Sequence, residues 1–474
     1  MMSALSRGMV FALLATVVAT VASAAGAGEP LALHPANPHY FVFRGKPTVL
    51  VTSGEHYGAV LNRDFDFVKY LAELERNGLN LTRTFTGVYC EDEKSFNITR
   101  NTLAPGAGKL ICPWARSGKV GYPGGGETFD LTKWDEAYFA RLKAFLTEAS
   151  KRGVVVEFNL FCPFYEESMW RLSPMNVANN VNGVGRVARD AVYNRTKNGD
   201  LQAVHETLVK KLVAEVNEFD NLYFEICNEP YFGGVTEDWQ RRIADVIGEA
   251  EKGLPNKHLI SQNIANGSTK IKNPHPGVSI FNFHYASPPN AVGENFALGK
   301  VIGDNETGFK GTADTHYRME AWEFMLAGGG LFNHLDYSFA VGHEDGTFKY
   351  PEKTPGGGNT GFRTQMKVLK EFVEGFEFVR MKPDNAVVKG RLPAKGKARV
   401  LSEPGKQYAA YLFGGPSAKL RLALPAGAYR AEWVSPMTGK VLKAEEVKAS
   451  GGDVELASPA FDPDIALRIR SGGS

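Results

Sequence analysis

The chain has 474 residues, and 54 Lys and Arg stand against 52 Asp and Glu, which gives a formal net charge of +2. This near balance, without a basic block, argues against nucleic acid or an anionic membrane surface as the main partner. With 43% hydrophobic and 22% charged residues, the composition excludes a disordered chain. The length allows one large domain with a small one, or three ordinary domains.

The first 24 residues have the pattern of an export signal. Arg7 is their one charged residue, an apolar run covers 9–21, and the segment ends in Ala22-Ser23-Ala24, a small-x-small cleavage pattern. Residues 1–24 therefore predict a cleavable signal peptide and a secreted or periplasmic protein. No later apolar run approaches the ~18 residues that a membrane-spanning helix needs, so we expect no membrane span.

Apolar runs and helical periodicity then alternate along three quarters of the chain. In chain order they predict strand 47–52, helix 64–77, strand 79–85, helix 133–151, strand 154–161, helix 201–219, strand 221–227, helix 237–251, strands 258–262, 278–284 and 300–304, helix 313–326, strand 331–335 and helix 361–376. Long loops rich in Gly and Pro cover about 86–130 and about 162–198. Eight strands alternating with helices predict a (β/α)8 TIM barrel over residues 30–380.

A doubly wound sheet is the alternative to the barrel. No GxGxxG or GxxxxGK[ST] element follows the first strand, which disfavours it. From about residue 384 the runs become short and alternating, with Gly and Pro turns between them. Residues 384–474 therefore predict a small all-β sandwich after the barrel.

The four cysteines do not form a disulfide scaffold. Cys90 and Cys112 fall in one long loop region and are candidates to pair, whereas Cys162 and Cys227 end strand-like runs and are typical of buried thiols. Four free cysteines are the alternative. The chain has neither a CxxC nor an HExxH motif, so we predict no zinc site of those types.

Asn228-Glu229-Pro230 directly follows the fourth predicted strand. Side chains at the carboxyl ends of barrel strands point into the mouth where substrates bind. There, Glu229 can protonate a leaving group if its surroundings raise its pKa, and Asn228 can hold a sugar hydroxyl. The alternative is that Glu229 caps a loop or pairs with an arginine.

Glu306 ends the seventh predicted strand, across the barrel from the fourth. Retaining hydrolysis of a glycoside needs two carboxyl groups ~5–5.5 Å apart on either side of the bond. Strands four and seven are placed to supply that pair. Asp304 has the same parity as Glu306 and competes for the role, but Glu306 lies nearer the mouth of the barrel.

With these residues the chain resembles the clan A retaining glycoside hydrolases, the cellulase-like family 5 enzymes and the apiosidase-like barrels. The resemblance covers roughly residues 30–380. It implies Glu229 as the acid/base and Glu306 as the nucleophile, acting on a carbohydrate with no cofactor and no metal. The family's Asn-x-x-Arg element matches residues 80–83 and implies that Arg83 steadies the nucleophile; a buried partner for Glu225 is the alternative.

Other positions are assigned to substrate binding. The family's strand six often ends in His and Tyr, which implies that His284 touches the substrate and Tyr285 hydrogen-bonds Glu306. His56, after strand one, is a further candidate. Aromatic residues in the long loops are candidates to stack on sugars. They are Tyr89, Trp114, Tyr122, Phe164, Tyr165, Trp170, Tyr231 and Phe232.

Two departures from the family pattern leave the bound sugar open. Thr307 stands between Glu306 and Gly308, where Phe or Trp is common. Strand eight lacks the Trp on which the family usually rests the sugar, which leaves Asp336 or Tyr337 to contact the sugar there. The tail is similar to the C-terminal β-domain of apiosidase-like proteins, a type labelled collagen-binding by analogy; we expect it only to stabilise the barrel.

The sequence thus predicts a secreted retaining glycoside hydrolase acting on a poly- or oligosaccharide. A non-catalytic carbohydrate-binding or adhesion protein on the same barrel is the competing class, and a transglycosylase is a third. A binder needs no such set as two carboxylates, Arg83 and Tyr285, which favours the enzyme. The large loops favour a pocket and action on chain ends, while the oligomeric state stays open.

Overall fold

The computed structural model describes residues 28–390, 392 and 396–472, so the predicted signal peptide lies outside the described residues. Eight parallel strands form the central sheet. They are β1 Leu50–Gly54, β2 Leu81–Phe85, β3 Val155–Asn159, β4 Leu222–Glu225, β5 Ile260–Asn266, β6 Val278–His284, β7 Val301–Thr307 and β8 Leu331–Leu335. Their order is β1-β8-β7-β6-β5-β4-β3-β2, a (β/α)8 barrel as the sequence predicts.

Side-chain hydrogen bonds close the seam between β1 and β2, which share no ladder. Asn80 accepts from the Val51 backbone N–H at 3.0 Å and donates to the Val49 carbonyl at 2.9 Å. Its own backbone N–H reaches the Val51 carbonyl at 3.4 Å. The amide of Asn80 thus replaces a missing strand pairing at the one open edge of the barrel.

Helices surround the barrel. They are α1 Phe67–Arg76, α2 Glu136–Lys151, α3 Glu167–Leu172, α4 Leu201–Val216, α5 Glu237–Glu251, α6 Asn290–Asn295, α7 Asp314–Leu326 and α8 Thr360–Glu374. Side-chain caps start several of them: Asp66 accepts from two N–H groups of α1, and Asp135 does the same for α2. Of the helices described, none is long and apolar enough to cross a membrane.

A three-stranded antiparallel sheet precedes the barrel, formed by Ala32–Leu33, Phe41–Phe43 and Lys46–Thr48. Leu31, Phe41 and Phe43 pack in one buried cluster with the starting residues of several barrel strands, among them Leu50 and Leu81. This sheet covers the amino-terminal end of the barrel. Only the carboxyl ends of the strands are left to receive a ligand.

The carboxyl-terminal residues form antiparallel sheets around a separate core. The larger sheet contains, in spatial order, Lys382–Pro383, Lys397–Glu403, Gln407–Phe413, Asp464–Ser471, Gly427–Val434 and Val441–Ala449. The smaller contains Val388–Lys389, Lys419–Leu424 and Gly452–Ala457. Two antiparallel sheets over one apolar core match the predicted all-β unit.

The β-unit is attached to the barrel through α7. Arg318 and Asp464 form a buried two-bond ion pair, with Nη2–Oδ1 at 2.8 Å and Nε–Oδ2 at 3.0 Å. Tyr411 also donates to Asp464 at 2.9 Å, and its ring stacks on Trp322 of α7. A buried ion pair, a buried hydrogen bond and a ring contact therefore join the β-unit to the barrel.

Several predicted boundaries need correction. The first strand does not run over 47–52, because Lys46–Thr48 pairs with the amino-terminal sheet and the barrel strand begins at Leu50. The predicted loop 86–130 contains a hairpin, Trp114–Val120 with Glu127–Trp134. Its polar, half-exposed strands lack the apolar alternation that marks a strand in sequence.

All four cysteines are buried and free, so of the two alternatives for Cys90 and Cys112 the structure has the unpaired one. The Cys90 sulfur lies 4.0 Å from the Tyr122 hydroxyl, and the Cys112 sulfur lies 3.7 Å from the Trp114 carbonyl. Burial raises the pKa of both thiols to about 12. Both therefore stay protonated at neutral pH and behave as small apolar groups.

Candidate active site

Glu229 and Glu306 meet at the carboxyl end of the barrel. An oxygen of each carboxylate and a ring nitrogen of His284 all lie within 4.8 Å of one another. Glu229 is 8% exposed and Glu306 is 6% exposed, and both line the same cavity of about 500 Å³. Two carboxylates at this separation on a shared cavity can act on opposite sides of one bond.

Tyrosine hydroxyls hold both carboxylates. Glu229 accepts from Tyr165 at 2.7 Å and from Tyr231 at 3.1 Å. Glu306 accepts from Tyr285 at 2.7 Å, the bond expected from the sequence, and from Tyr57 at 2.9 Å. Each of the four carboxylate oxygens thus has its own phenolic donor, which fixes both side chains before any ligand binds.

His284 lies between the two glutamates. Its Nδ1 is 3.1 Å from Glu229 Oε1 and 3.5 Å from Glu306 Oε1. Burial lowers the pKa of His284, but the charges of Glu306 and Glu229 outweigh it and leave that pKa raised. For Glu229, burial raises the pKa, but the hydrogen bond and the charge of His284, together with the hydrogen bonds from Tyr165 and Tyr231, outweigh it and leave that pKa lowered. A proton at this site therefore belongs to the Glu229–His284 pair.

Two carboxylates and one imidazole are also donors that a divalent cation accepts. Here the carboxylate oxygens are already occupied by hydroxyl donors from Tyr57, Tyr165, Tyr231 and Tyr285. These bonds orient the carboxylates for proton transfer and attack. A carboxylate oxygen that accepts one hydrogen bond keeps a further lone pair, so the bonds by themselves do not exclude a cation.

Arg83 lies directly beneath Glu306 and satisfies both of its predicted alternatives. Its Nη1 is 3.3 Å from Glu306 Oε2, and its Nη2 donates to Glu225 at 2.7 Å and to Asn228 at 2.9 Å. Its Nε donates to Glu157 at 2.5 Å. The guanidinium thus orients the nucleophile candidate and Asn228 from one buried position.

The charge beneath the site is not balanced by Arg83 alone. Glu157 and Glu225 are both fully buried, and Asn305 donates to each at 2.9 Å. Burial raises the pKa of Glu157 to about 7. At neutral pH Glu157 therefore carries a proton part of the time, which reduces the excess of negative charge next to Arg83.

A bulge in β7 separates Glu306 from its competitor Asp304. Phe283 pairs with Asp304 and His284 pairs with Glu306, so Asn305 is an extra residue in the ladder. Asp304 is fully buried, accepts from the Ala286 backbone N–H at 3.2 Å and does not line the cavity. The expected shared parity is therefore wrong: the bulge brings Asn305 and Glu306 inward together.

Three residues of the site have backbone angles in the left-handed region. They are Tyr57 with φ 61°, Glu229 with φ 35° and Tyr285 with φ 53°. A non-glycine residue in such a conformation costs about 1–3 kcal/mol. The side chain of each of the three belongs to the hydrogen-bond network of the two carboxylates. The surrounding fold therefore stabilises these costly conformations at the positions where they direct the side chains towards one another.

Not every predicted binding residue reaches the cavity. Its lining includes His56, Asn228, Glu229, Tyr285 and Glu306. Arg83 and His284 lie just below it and contact the glutamates. Both ring nitrogens of His56 are buried, and Nε2 lies 3.5 Å from Glu91 Oε2, so His56 presents its carbon edge to the cavity.

Asp336, Tyr337 and Trp170 are not among the residues that line the cavity. The Asp336 carboxylate is taken up by Arg363 at 2.7 Å and by the Ser53 hydroxyl at 3.0 Å. Trp170 belongs to α3 and packs on Phe164, while the Tyr337 ring lies behind Phe309 and His56. Buried strand-end and helix positions direct these three side chains into the core.

Sequence reasoning missed Tyr57 and Glu91 and gave Tyr165 and Tyr231 a different task. The two loop tyrosines were expected to stack on sugars, but their hydroxyls bind Glu229. Glu91 lines the cavity and accepts from the Tyr89 hydroxyl at 2.9 Å. No local pattern marks these roles, because each partner comes from another part of the chain.

Comparison with known proteins supports the fold. No protein-family model and no curated protein matches the chain. Among solved structures, a family 5 glycoside hydrolase from Bacteroides vulgatus has TM-score 0.62 and 15% identity, covering 93% of this chain and 94% of its own. A structure named only as a glycoside hydrolase has TM-score 0.62 and 17% identity, covering 94% and 97%.

A third solved structure, from Bacteroides vulgatus and described as a candidate glycoside hydrolase, has TM-score 0.66 and 14% identity, covering 94% of this chain and 82% of its own. At such low identity the likeness concerns architecture alone. The chain therefore has the TIM-barrel fold, with a carboxyl-terminal β-unit, that is found in solved glycoside hydrolases.

Proposed function

We propose that the protein is a retaining glycoside hydrolase that acts on a poly- or oligosaccharide. The observation that carries the proposal is the approach of Glu229 and Glu306 to within 4.8 Å on one cavity. That spacing favours direct attack by one carboxylate over activation of a water between them, which needs a wider gap. The solved structures with the same fold support the reaction class.

In the first step, a Glu306 oxygen attacks the anomeric carbon. The bond from that carbon to the leaving oxygen breaks, and the leaving oxygen takes a proton from Glu229. In the second step, Glu229 removes a proton from water, the water oxygen attacks the same carbon, and the bond to Glu306 breaks. Two inversions return the sugar to its starting configuration.

His284 accounts for how Glu229 obtains its proton although its pKa is lowered. The raised pKa of His284 depends on the negative charges of both glutamates. As Glu306 attacks, it loses its charge, and His284 holds its proton less tightly. In the same step, while the bond to the leaving oxygen breaks, this one proton moves from His284 over the 3.1 Å contact to Glu229 and on to the leaving oxygen, which leaves Glu229 ionised for the second step.

The test is turnover and covalent labelling. The purified protein is incubated with chromogenic glycosides and with plant, algal and microbial polysaccharides, and the anomeric form of the first product is read by NMR. A fluorinated glycoside of any hydrolysed sugar should add its mass to Glu306. We expect Glu306→Ala to abolish turnover and labelling while the variant still binds the sugar.

Three results would reject the proposal or a part of it. Unchanged turnover in Glu306→Ala would show that Glu306 is not the nucleophile. Binding of sugars by the unaltered protein, with no turnover on any substrate and no labelling, would instead favour the non-catalytic carbohydrate-binding alternative. A first product of inverted anomeric configuration would reject the retaining mechanism, and the protein would be an inverting hydrolase.

We also propose that the chain is exported, with cleavage after Ala24. The support is the arrangement of Arg7, the apolar run 9–21 and the small residues before the cleavage point. Mass spectrometry of the protein from a culture of its host should find Ala25 at the amino terminus in the periplasm or medium. An intact Met1 on all of the protein would overturn this.

A further inference from the structure

Aromatic side chains of five loops form a collar around the mouth of the cavity. Neighbouring rings contact each other at centroid distances of 5.0 Å for Tyr231 and Phe232, 5.7 Å for Phe232 and Tyr165, 5.3 Å for Tyr165 and Phe96, 6.3 Å for Phe96 and Phe309, and 6.1 Å for Phe309 and Tyr285. These residues follow β4, β3, β2, β7 and β6.

The collar is closed on its remaining side. The Tyr231 hydroxyl donates to Asn266 Oδ1 at 2.5 Å, and Asn266 pairs with His284 next to Tyr285. Together with the ring contacts, the Tyr231–Asn266 hydrogen bond and the pairing of β5 with β6 join the β4, β5 and β6 sides of the mouth.

Phe96 is the member that closes the collar. It contacts Tyr165 after β3 and Phe309 after β7, which lie on opposite sides of the barrel, so it spans the side below which β1 and β8 end. Phe96 is 39% exposed, so part of the residue is open to solvent at the mouth. Its φ of 55° is in the left-handed region, at a cost of about 1–3 kcal/mol.

We propose that Phe96 makes the catalytic cavity a blind pocket that accepts only the end of a glycan chain. The inference rests on the proposed function and extends it from a hydrolase to a chain-end-acting one. Phe96 keeps this partly exposed position although its backbone conformation is costly. Its position across the mouth prevents a chain from running through the site.

The test measures binding against chain length and needs no turnover. Cello-, manno- and xylo-oligosaccharides of one to six residues are titrated into Glu306→Ala by calorimetry. For the series that binds, we expect affinity to stop rising after the second residue. With Phe96→Ala in the same background, it should keep rising, by about three- to tenfold for longer chains.

Two further variants serve as controls. Phe96→Tyr keeps the ring and should restore the plateau. Phe96→Gly removes the ring at a position where glycine accepts positive φ, so it should bind long chains as Phe96→Ala does, with no loss of melting temperature. This pair separates the effect of the ring from damage to the loop.

The outcomes are distinct from those of the proposed function. An affinity that rises through the fifth residue with Phe96 present, an unchanged plateau in Phe96→Ala, or no binding of any series overturns the blind pocket. A plateau that depends on Phe96, in a protein that hydrolyses nothing, upholds the pocket and rejects the hydrolase.

Discussion

His284 connects the two glutamates, and its charge state sets the state of the site. The imidazole is fully buried, and the carboxylates on either side raise its pKa above the ordinary value of 6.5. The Glu229–His284 pair therefore holds a proton near neutral pH that an isolated glutamate would have lost. If the proposed function holds, we expect acid catalysis to depend on this shared proton more than on Glu229 alone.

We predict that activity falls as the pH rises through the raised pKa of His284, since the pair then loses its proton. In His284→Asn the proton has only Glu229 to reside on, and the alkaline limb of kcat/KM should move to lower pH. The measurement is the pH profile on any hydrolysed glycoside. His275→Asn, outside the site, should leave the profile in place; an unmoved limb in His284→Asn would contradict the assignment.

The same contacts affect stability in a defined direction. His284 has a raised pKa in the folded protein, so its stabilising contribution is complete below pH ~6.5 and is lost as the pH rises through the folded pKa. Glu229 has a lowered pKa, so its contribution is present above pH ~4.3 and is lost as the pH falls through the folded pKa.

Glu91 gives the cavity its charge preference. Four glutamates line the cavity, namely Glu91, Glu166, Glu229 and Glu306, and no Lys or Arg of the described chain is among the lining residues. A sugar carboxylate would meet like charges there. The lining therefore favours neutral sugars, whose hydroxyls can donate to Glu91.

We predict that a neutral glycoside is hydrolysed at least about tenfold faster than the uronide of the same stereochemistry, as expected for one added like-charge contact. Glu91→Gln should narrow that ratio, because it removes one charge and keeps an acceptor for Tyr89. Glu93→Gln, an exposed change in the same loop, is the matched control. Equal rates on both glycosides would remove the preference.

Among the barrel elements, the β1–β2 seam depends on a side chain. Elsewhere neighbouring strands exchange backbone hydrogen bonds, but here the Asn80 amide binds Val49 and Val51. Arg83 follows Asn80 by three residues along the same segment. The seam thus positions the guanidinium that contacts Glu306.

We predict that Asn80→Ala lowers the free energy of unfolding by about 1–3 kcal/mol for each buried partner left unsatisfied. Chemical denaturation monitored by tryptophan fluorescence would measure the loss. Asn80→Asp keeps the acceptor for Val51 but loses the donor to Val49. Its free energy of unfolding should lie between that of the unaltered protein and that of Asn80→Ala. A loss below about 0.5 kcal/mol in Asn80→Ala would contradict this account of the seam.

The other element that shapes the site is the bulge of β7. Strict alternation would place Asp304 and Glu306 on one face, whereas the extra residue Asn305 turns Asp304 outward and Glu306 inward. Thr307, where the resembled family has Phe or Trp, donates to Glu320 of α7 at 2.8 Å. The departure from the family pattern is thus accommodated by a contact behind the sheet.

The whole molecule is a barrel attached to a β-unit through buried polar contacts. Arg318 and Asp464 are each almost fully buried, and Gln365 and Tyr411 complete their hydrogen bonds. A unit attached in this way supports the barrel wall from outside, on the side of α7. That arrangement is consistent with the expected stabilising role; the resemblance to a collagen-binding type of domain stays a prediction.

We predict that Asp464→Ala destabilises the protein by about 3–5 kcal/mol, because Arg318 would be left buried without its partner. Thermal and chemical unfolding would show the loss. Glu446→Ala removes the partner of the exposed Arg430 and should cost about 0–1 kcal/mol. Equal effects of the two changes would mean that the interface contributes no more than the surface.

Local sequence patterns were enough to predict the fold class and to single out the two glutamates that meet at the cavity. Runs of apolar residues alternating with helical periodicity predict the barrel, and strand ends predict Glu229 and Glu306 at its mouth, while Arg83 and Tyr285 were expected from the family resemblance. These signals survive because each depends on neighbours within a few positions. The same reasoning failed where parity is broken, as at Asp304, or where strands are polar, as in the hairpin of the first long loop.

Tertiary structure alone decided which groups hold the glutamates and what closes the pocket. Tyr57 and Glu306 are 249 positions apart in the chain, and His284 and Glu229 are 55 apart. A hydrogen bond over such a span follows from barrel closure, bulge and loop course together, none of which a local pattern records. For the same reason Asp336, Tyr337 and Trp170 have suitable chemistry but face the core, while Phe96 crosses the mouth.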